Sequence, residues 1–193
     1  MRGRTKAMGT IPPNAKRVYK GKIFELYQWE QKMFDGSTET FELLKRPNTI
    51  QIITTMNGKI LTVREEQPGR PPRELGLYGG RAEQGEEPLA TAKRELLEEG
   101  GLESSDWELW KVYTPVIKMS WNVYFFIARN CRKVAEPQLD AGEKIEQREL
   151  DFEKFIEIMT AEGYWAPHFS MDLLRMKLTG RLNEFRSKLF PND

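Results

Sequence analysis

Glu95, Glu98 and Glu99 fall at i, i+3 and i+4 in "LATAKRELLEEGG", so a helix over this stretch lines three carboxylates along one side. Like charges at these spacings repel by about 0.2–0.5 kcal/mol per pair, and acids near a helix C-terminus also oppose its macrodipole. Arg94, four residues before Glu98, is the one base placed to relieve them. A divalent cation would reverse the penalty. The chain has one histidine, His168, and one cysteine, Cys131. Thiolate and His-pair metal sites are therefore excluded, and oxygen ligands suit Mg²⁺ or Mn²⁺. The plain alternative is a solvated charged face. Against it, the acids adjoin rather than oppose the apolar stripe Leu89, Ala92 and Leu96, and a Gly-rich loop carrying Glu86 precedes them.

The elements that must position these acids are legible as hydrophobic periods and turn residues. Pro88 suits the first helical turn and Gly100-Gly101 its end. "TIQIITT" and "KILTVRE" flank Asn57-Gly58, a strong hairpin signal, and Asp35-Gly36 breaks an aromatic, β-branched segment from Arg17 to Leu44. "QPGRPPRELGLYGG" is too rich in Pro and Gly to predict a regular element. Beyond the acidic helix, "WELWKVYTPVI" and "NVYFFIA" read as strands joined by a loop around Lys118–Trp121, and "LDAGEKIEQREL" as a loop entering a short strand. Phe152, Phe155, Ile156 and Met159 have helical spacing, as do Leu174, Leu178, Leu182 and Phe185. Strands mixed with a few helices predict an α+β layered domain.

A formal net charge of +1 supplies no field to draw the chain to nucleic acid or an anionic membrane, and neither is expected as a partner. No apolar run is long enough to span a bilayer. A single cysteine precludes an internal disulfide and suits a reducing cytoplasm, the expected compartment. Three segments are expected: a flexible basic tail over 1–16, an N-terminal β segment over 17–46 ahead of Pro47-Asn48, and a main domain over 47–193 that includes the C-terminal helices.

Gly80, Glu86, Arg94, Glu95, Leu96, Glu98, Glu99, Gly101 and Leu102 fill every fixed position of G-x5-E-x7-R-E-U-x-E-E-x-G-U, with U aliphatic. The chain thereby resembles the Nudix hydrolase family, and the strand pattern from about Thr49 to Leu150 is similar to that family's α/β/α sandwich with a mixed sheet. The resemblance implies hydrolysis of a nucleoside diphosphate linked to another moiety. It implies that Glu95, Glu98 and Glu99 supply oxygens to Mg²⁺ or Mn²⁺, foremost Glu99 and Glu95, with the Gly79 carbonyl as a further ligand. Arg94 would hold a glutamate in place, and Glu86 would tie the loop to the helix.

The aromatic N-terminal segment and "VREEQPGR" look similar to the ADP-ribose and ADP-sugar pyrophosphatase branch, although "GLYGG" stands where that branch reads E-L-P-A-G. That likeness implies ADP-ribose or an ADP-sugar as substrate, giving AMP and a sugar phosphate, with Arg70 and then Arg64 on the diphosphate. Trp29, Tyr27 and Trp121 are candidates to stack on a nucleobase; core or interface aromatics are the alternative reading. The branch also implies a homodimer built through the N-terminal strands. Glu143, after Gly142, is the expected catalytic base, with Asp140 in reserve, Glu146 assigned to the next strand and Glu98 next in line on the helix. Two other functions remain open: a hydrolase of modified nucleoside triphosphates or dinucleoside polyphosphates, and a silent nucleotide-sensing domain.

Overall fold

The structure, a computed structural model, describes residues 10–162 and 164–191. At its centre, β4 (Thr49–Met56) and β5 (Lys59–Glu66) form the hairpin that Asn57-Gly58 predicts. Both turn residues have positive φ, 52° and 73°, the backbone of a type I′ turn. β4 also pairs in parallel with β10 (Val123–Arg129), which pairs antiparallel with β8 (Asp106–Tyr113). β12 (Lys144–Leu150) and the short β6 (Arg73–Gly76) flank β5, completing a six-stranded mixed sheet.

Both faces of this sheet are covered, which is why six consecutive residues of β4, Ile50 to Thr55, are buried. Ile50, Ile52, Leu61 and Val63 pack with Tyr78, Ala92 and Leu96 beneath α1 (Pro88–Gly100). On the other face, Ile53, Ile60, Phe125 and Ile127 pack under α2 (Phe152–Met159), α3 (Pro167–Leu178) and α4 (Leu182–Leu189). This is the expected α+β arrangement, an α/β/α sandwich.

A second sheet stands apart. β1 (Lys16–Lys20), β2 (Glu25–Lys32) and β3 (Thr38–Lys45) form a meander whose β2–β3 hairpin turns at Asp35-Gly36. Its far edge pairs in parallel with β9 (Met119–Ser120), lodged in the connection between β8 and β10. The main sheet is thereby joined to the N-terminal one. β7 (Leu102–Glu103) and β11 (Arg132–Lys133) form a small ribbon. Of the basic tail expected at 1–16, residues 1–9 lie outside the described residues, and Lys16 already belongs to β1.

Several local expectations change. The Pro/Gly-rich segment does contain a strand, β6, because Val63 and Glu65 on β5 offer backbone partners to Gly76 and Arg73. The loop expected around Lys118–Trp121 holds β9. Leu89 was expected in the buried stripe of α1, but it is exposed in the first turn, and Thr91, Ala92, Leu96 and Gly100 are the buried positions. The Leu174–Phe185 periodicity is broken at Gly180, φ 67°, which separates α3 from α4. Phe169, Leu173, Phe185 and Leu189 are buried there, while Leu178 is 86% exposed.

Candidate active site

α1 begins at Pro88 and stops at Gly101, whose left-handed backbone lets its N–H close on the Leu97 carbonyl. A Cβ at Gly101 would sit 2.0 Å from the Ala135 carbonyl oxygen, so no other residue fits. The last turn holds no basic residue to offset Glu98 and Glu99.

The segment before the helix is fastened to β4 by bridges at Tyr78 with Ile52 and Arg81 with Thr49. Between them the chain passes through two glycines. Gly79 has φ 139°, and a Cβ there would meet the Ile50 carbonyl oxygen at 2.2 Å. A Cβ on Gly80 would lie 2.4 Å from a Glu95 oxygen. Backbone therefore approaches the helix closely enough for the Gly79 N–H to donate to Glu99 Oε2 at 2.8 Å.

Arg94 organises the exposed side of the cluster. Its Nε and Nη2 donate to the two Glu86 oxygens at 3.0 and 3.1 Å, and Nη1 lies 2.9 Å from Glu98 and 3.0 Å from Glu95. These hydrogen bonds hold the Glu86 carboxyl down at about 2, against the opposing effect of burial. One guanidinium shared among three acids leaves the deeper carboxylates under-compensated. Burial pushes Glu99 up to about 9, only partly offset by the Gly79 N–H and reinforced by the charges of Glu95, Glu143 and Glu65. Burial likewise raises Glu95 to about 6, although Arg94 pulls the other way.

Glu143 approaches from the loop before β12. Its carboxylate accepts from Gln67 Nε2 at 3.2 Å, and its own N–H donates to the Asp140 carbonyl at 2.9 Å. Burial raises its pKa, as do Asp140 and Glu65. Among the described residues, no three His, Cys, Asp or Glu side chains converge closely enough to hold a metal ion. The glutamates act on one another through charge while standing apart, as like charges do. They fit a hard divalent cation in donor type, burial and charge, though not in distance.

Arginines also act on one another. The Arg46 guanidinium lies 4.5 Å from the Trp121 ring centroid and 5.8 Å from that of Phe24. Its Nη2 and Trp121 Nε1 both donate to the Thr49 hydroxyl, at 3.4 and 3.1 Å, while its buried Nε has no partner. Burial lowers the pKa of Arg46, and the charges of Arg81 and Arg70 lower it further. Arg46 therefore feels two like charges, a local cost that an anion would relieve.

A family model describing the NUDIX domain matches residues 44–170, about two thirds of the chain. The chain belongs to the Nudix family. It is 28% identical over 148 residues to an ADP-ribose pyrophosphatase of Bacillus subtilis (strain 168), covering 75% of this chain and 74% of that protein. It is also 28% identical over 94 residues to a methanol dehydrogenase activator of Bacillus methanolicus, covering 48% and 51% respectively. A crystal structure of an ADP compounds hydrolase superposes with a TM-score of 0.66 at 20% identity, covering 88% of this chain and 95% of that one, a likeness of fold.

Within this Nudix hydrolase, the residues expected in the site are only partly gathered. Glu95, Glu98, Glu99, Arg94 and Glu86 share one cluster, and Glu143 adds its charge to it. Gly79 contributes its amide to Glu99, a contact distinct from the carbonyl expected of it. Arg70 is exposed but acts on Arg46. Arg64 is engaged elsewhere, paired with Glu66 at 2.5 Å and Glu74 at 3.2 Å. Trp29 lies in the N-terminal sheet, edge-on to Phe41 at 6.0 Å with Nε1 donating to Gln31. His168 sits in α3 edge-on to Tyr113 at 5.8 Å.

Arg46 and Arg81 were missed by sequence reasoning. A usable signal existed: Arg46-Pro47, Gly69-Arg70-Pro71 and Gly80-Arg81 each place an arginine beside a chain-turning residue. A cavity lined by Lys93, Arg94, Leu97, Leu102, Glu103, Ser104 and Trp107 contains none of Glu95, Glu99 or Glu143. It is a cleft beside α1 rather than the candidate site. No helix among the described residues is long and apolar enough to cross a membrane.

Proposed function

We propose that this Nudix hydrolase cleaves the diphosphate of a nucleoside diphosphate derivative in a Mg²⁺-dependent reaction, with ADP-ribose or an ADP-sugar as substrate. Water adds across one P–O–P bond, giving AMP and a sugar phosphate. The observation that carries this reading is the presence of buried carboxylates short of cations on α1 and of a part-buried arginine short of anions beside β4. Burial raises the pKa values of Glu95 and Glu99, while burial and the charges of Arg81 and Arg70 lower that of Arg46. A diphosphate with a divalent cation balances both at once.

Glu99, Glu95 and Glu98 would hold Mg²⁺ or Mn²⁺, which when bound neutralises diphosphate charge and acidifies water. Arg46, fixed by Trp121 and Thr49, and the exposed Arg70 and Arg81 would bind phosphate oxygens. Arg94 keeps Glu98 and Glu95 aligned while anchored to Glu86. Glu143, whose raised proton affinity suits a base, would accept the proton of the attacking water. Trp29 lies in the other sheet, so its part in nucleobase stacking would fall to a second copy of the chain. A homodimer through that sheet accounts for its exposed Val18, Tyr19, Phe24 and Phe34. The lone buried Cys131 is consistent with a cytoplasmic setting.

The test is product identification after incubation with Mg²⁺ and ADP-ribose, an ADP-sugar, a dinucleoside polyphosphate and an oxidised nucleoside triphosphate. AMP plus ribose 5-phosphate supports the proposal. A monophosphate plus pyrophosphate would move the enzyme to the triphosphatases, and binding without turnover would make it a sensor. Arg46→Met should raise KM for the preferred substrate about tenfold, and light scattering should give twice the monomer mass.

A further inference from the structure

Leu61, Val63 and Glu65 alternate along β5, and the two-residue period sends all three toward the face that α1 covers. Ile145, paired with Glu65 on β12, packs against the core on the same face. Glu65 is thus the residue at which the apolar row gives way to the carboxylates of the site. Its charge acts on both Glu99 and Glu143.

Glu65 has a dedicated counter-ion. Arg73, its neighbour across the β5–β6 pairing, places Nη1 2.9 Å from Glu65 Oε2, with the Glu65 side chain only 16% exposed. The same guanidinium lies 4.8 Å from the ring centroid of Trp165, in the connection between α2 and α3. Trp165 leans on Tyr164 at 5.9 Å, and Tyr164 on the buried Phe169 at 6.4 Å. One run of contacts therefore leads from the C-terminal helical layer through Arg73 to the carboxylate row. A planar, delocalised cation can stack on one side and pair on its edge, which lysine does less well.

We propose that Arg73 is a positioning residue of the Glu95–Glu99 site: clamped on Trp165, it holds Glu65 at the site's edge and neutralises it, setting how much negative charge the site presents. This rests on the reading of that site as a cation-dependent hydrolase centre. A simple tie between β6 and β5 would give Arg73 the same ion pair, but the two roles differ in sign. Removing Arg73 leaves a bare glutamate beside the site. Removing the Glu65 charge leaves a bare arginine there.

The experiment uses the full chain and Mn²⁺ alone, with free Mn²⁺ followed by electron paramagnetic resonance in the absence of substrate. Arg73→Met should bind Mn²⁺ about 3- to 10-fold more tightly and Glu65→Gln about as much more weakly, with the double variant close to the wild type. In turnover with ADP-ribose and Mg²⁺, Arg73→Met should lose about tenfold in kcat with KM little changed, because the released carboxylate competes with Glu99 and Glu143. Arg73→Lys, which restores the charge, should recover most of that loss. Shifts of Mn²⁺ affinity in the same direction, or none, would overturn the proposal and leave Arg73 a structural tie. If Arg73→Met does not fold, Glu65→Gln decides alone: weaker binding supports the proposal and unchanged binding overturns it. A wild type that neither binds Mn²⁺ nor hydrolyses any diphosphate substrate would instead remove the proposed function, and this inference with it.

Discussion

Two places among the described residues gather carboxylates around an arginine, and they end with opposite charge balance. At the end of β10, Arg129 pairs with Asp106 at 2.9 Å, with Glu108, and with the Lys188 carbonyl, while Lys188 Nζ reaches Glu108 at 2.5 Å. Burial pushes the Glu108 carboxyl up, but the hydrogen bonds from Lys188 and Arg129 outweigh it and leave its pKa lowered. On α1, a single arginine is shared among Glu86, Glu95 and Glu98, and burial leaves Glu99 at about 9. The first arrangement ties α4 to the sheet and is complete as folded. The second is left uncompensated by the fold, and burial keeps Glu99 protonated up to about pH 9. Charge that the fold compensates is structural; charge that it leaves uncompensated is where binding is to be sought.

The largest expected effect would break this contrast at Glu99. Glu99→Gln should lower kcat by about 10² to 10⁴ at saturating Mg²⁺ while leaving the protein folded. Near-normal turnover would show that the uncompensated carboxylate is not a functional one. Glu143→Gln comes next, with kcat reduced about 10²-fold or more and KM and Mg²⁺ dependence little changed. Steady-state kinetics with an unchanged kcat would return the proton-accepting role to Glu98.

Arg129→Met tests the compensated side. Asp106 and Glu108 would lose their shared partner, a loss of about 2 kcal/mol in denaturant unfolding, discounted because both keep contact with solvent. Turnover per folded molecule should be unaffected, and a drop in kcat without a drop in stability would erase the distinction between the two clusters.

The remaining effect is in pH dependence. The native pKa of Glu99, about 9, stands above the ordinary 4.5, so between these values the native state keeps a proton that the unfolded chain releases. Stability therefore falls as pH rises through that window, and the loss is complete above about pH 9. Glu99→Gln lacks this term. Melting temperatures of the metal-free wild type and variant should nearly coincide at about pH 4 and separate toward pH 9, the variant being higher. Parallel curves would mean that Glu99 is better compensated than its surroundings suggest.

Much of the local structure was legible because it is written in neighbouring residues. Asn57-Gly58 and Asp35-Gly36 specify their hairpins, and Pro88 with Gly101 bound α1, through backbone preferences that act over a few positions. Leu89 misled because helical periodicity does not say which turns are covered, and burial in α1 begins only at Thr91. Leu174 and Leu178 misled in the same way: the apolar spacing runs on across Gly180, whereas the chain bends there and buries Phe185 and Leu189. β6 was hidden by Pro71 and Pro72, since the hydrogen bonds that make it a strand come from β5.

The sequence by itself determined the family and the acidic helix, because a motif of fixed spacing on one helix needs no other segment to be read. Only the tertiary structure decided which charges are left unbalanced. Arg94 lies eight residues from Glu86, yet whether that pair leaves Glu99 short of cations depends on how deeply α1 packs against Gly79-Gly80. Arg46, Arg70 and Arg81 come from three separate loops, and Glu143 meets Gln67 across 76 residues of chain. Burial and convergence are properties of packed layers. They arise when distant segments exclude water from one another, and no local period in the chain encodes that.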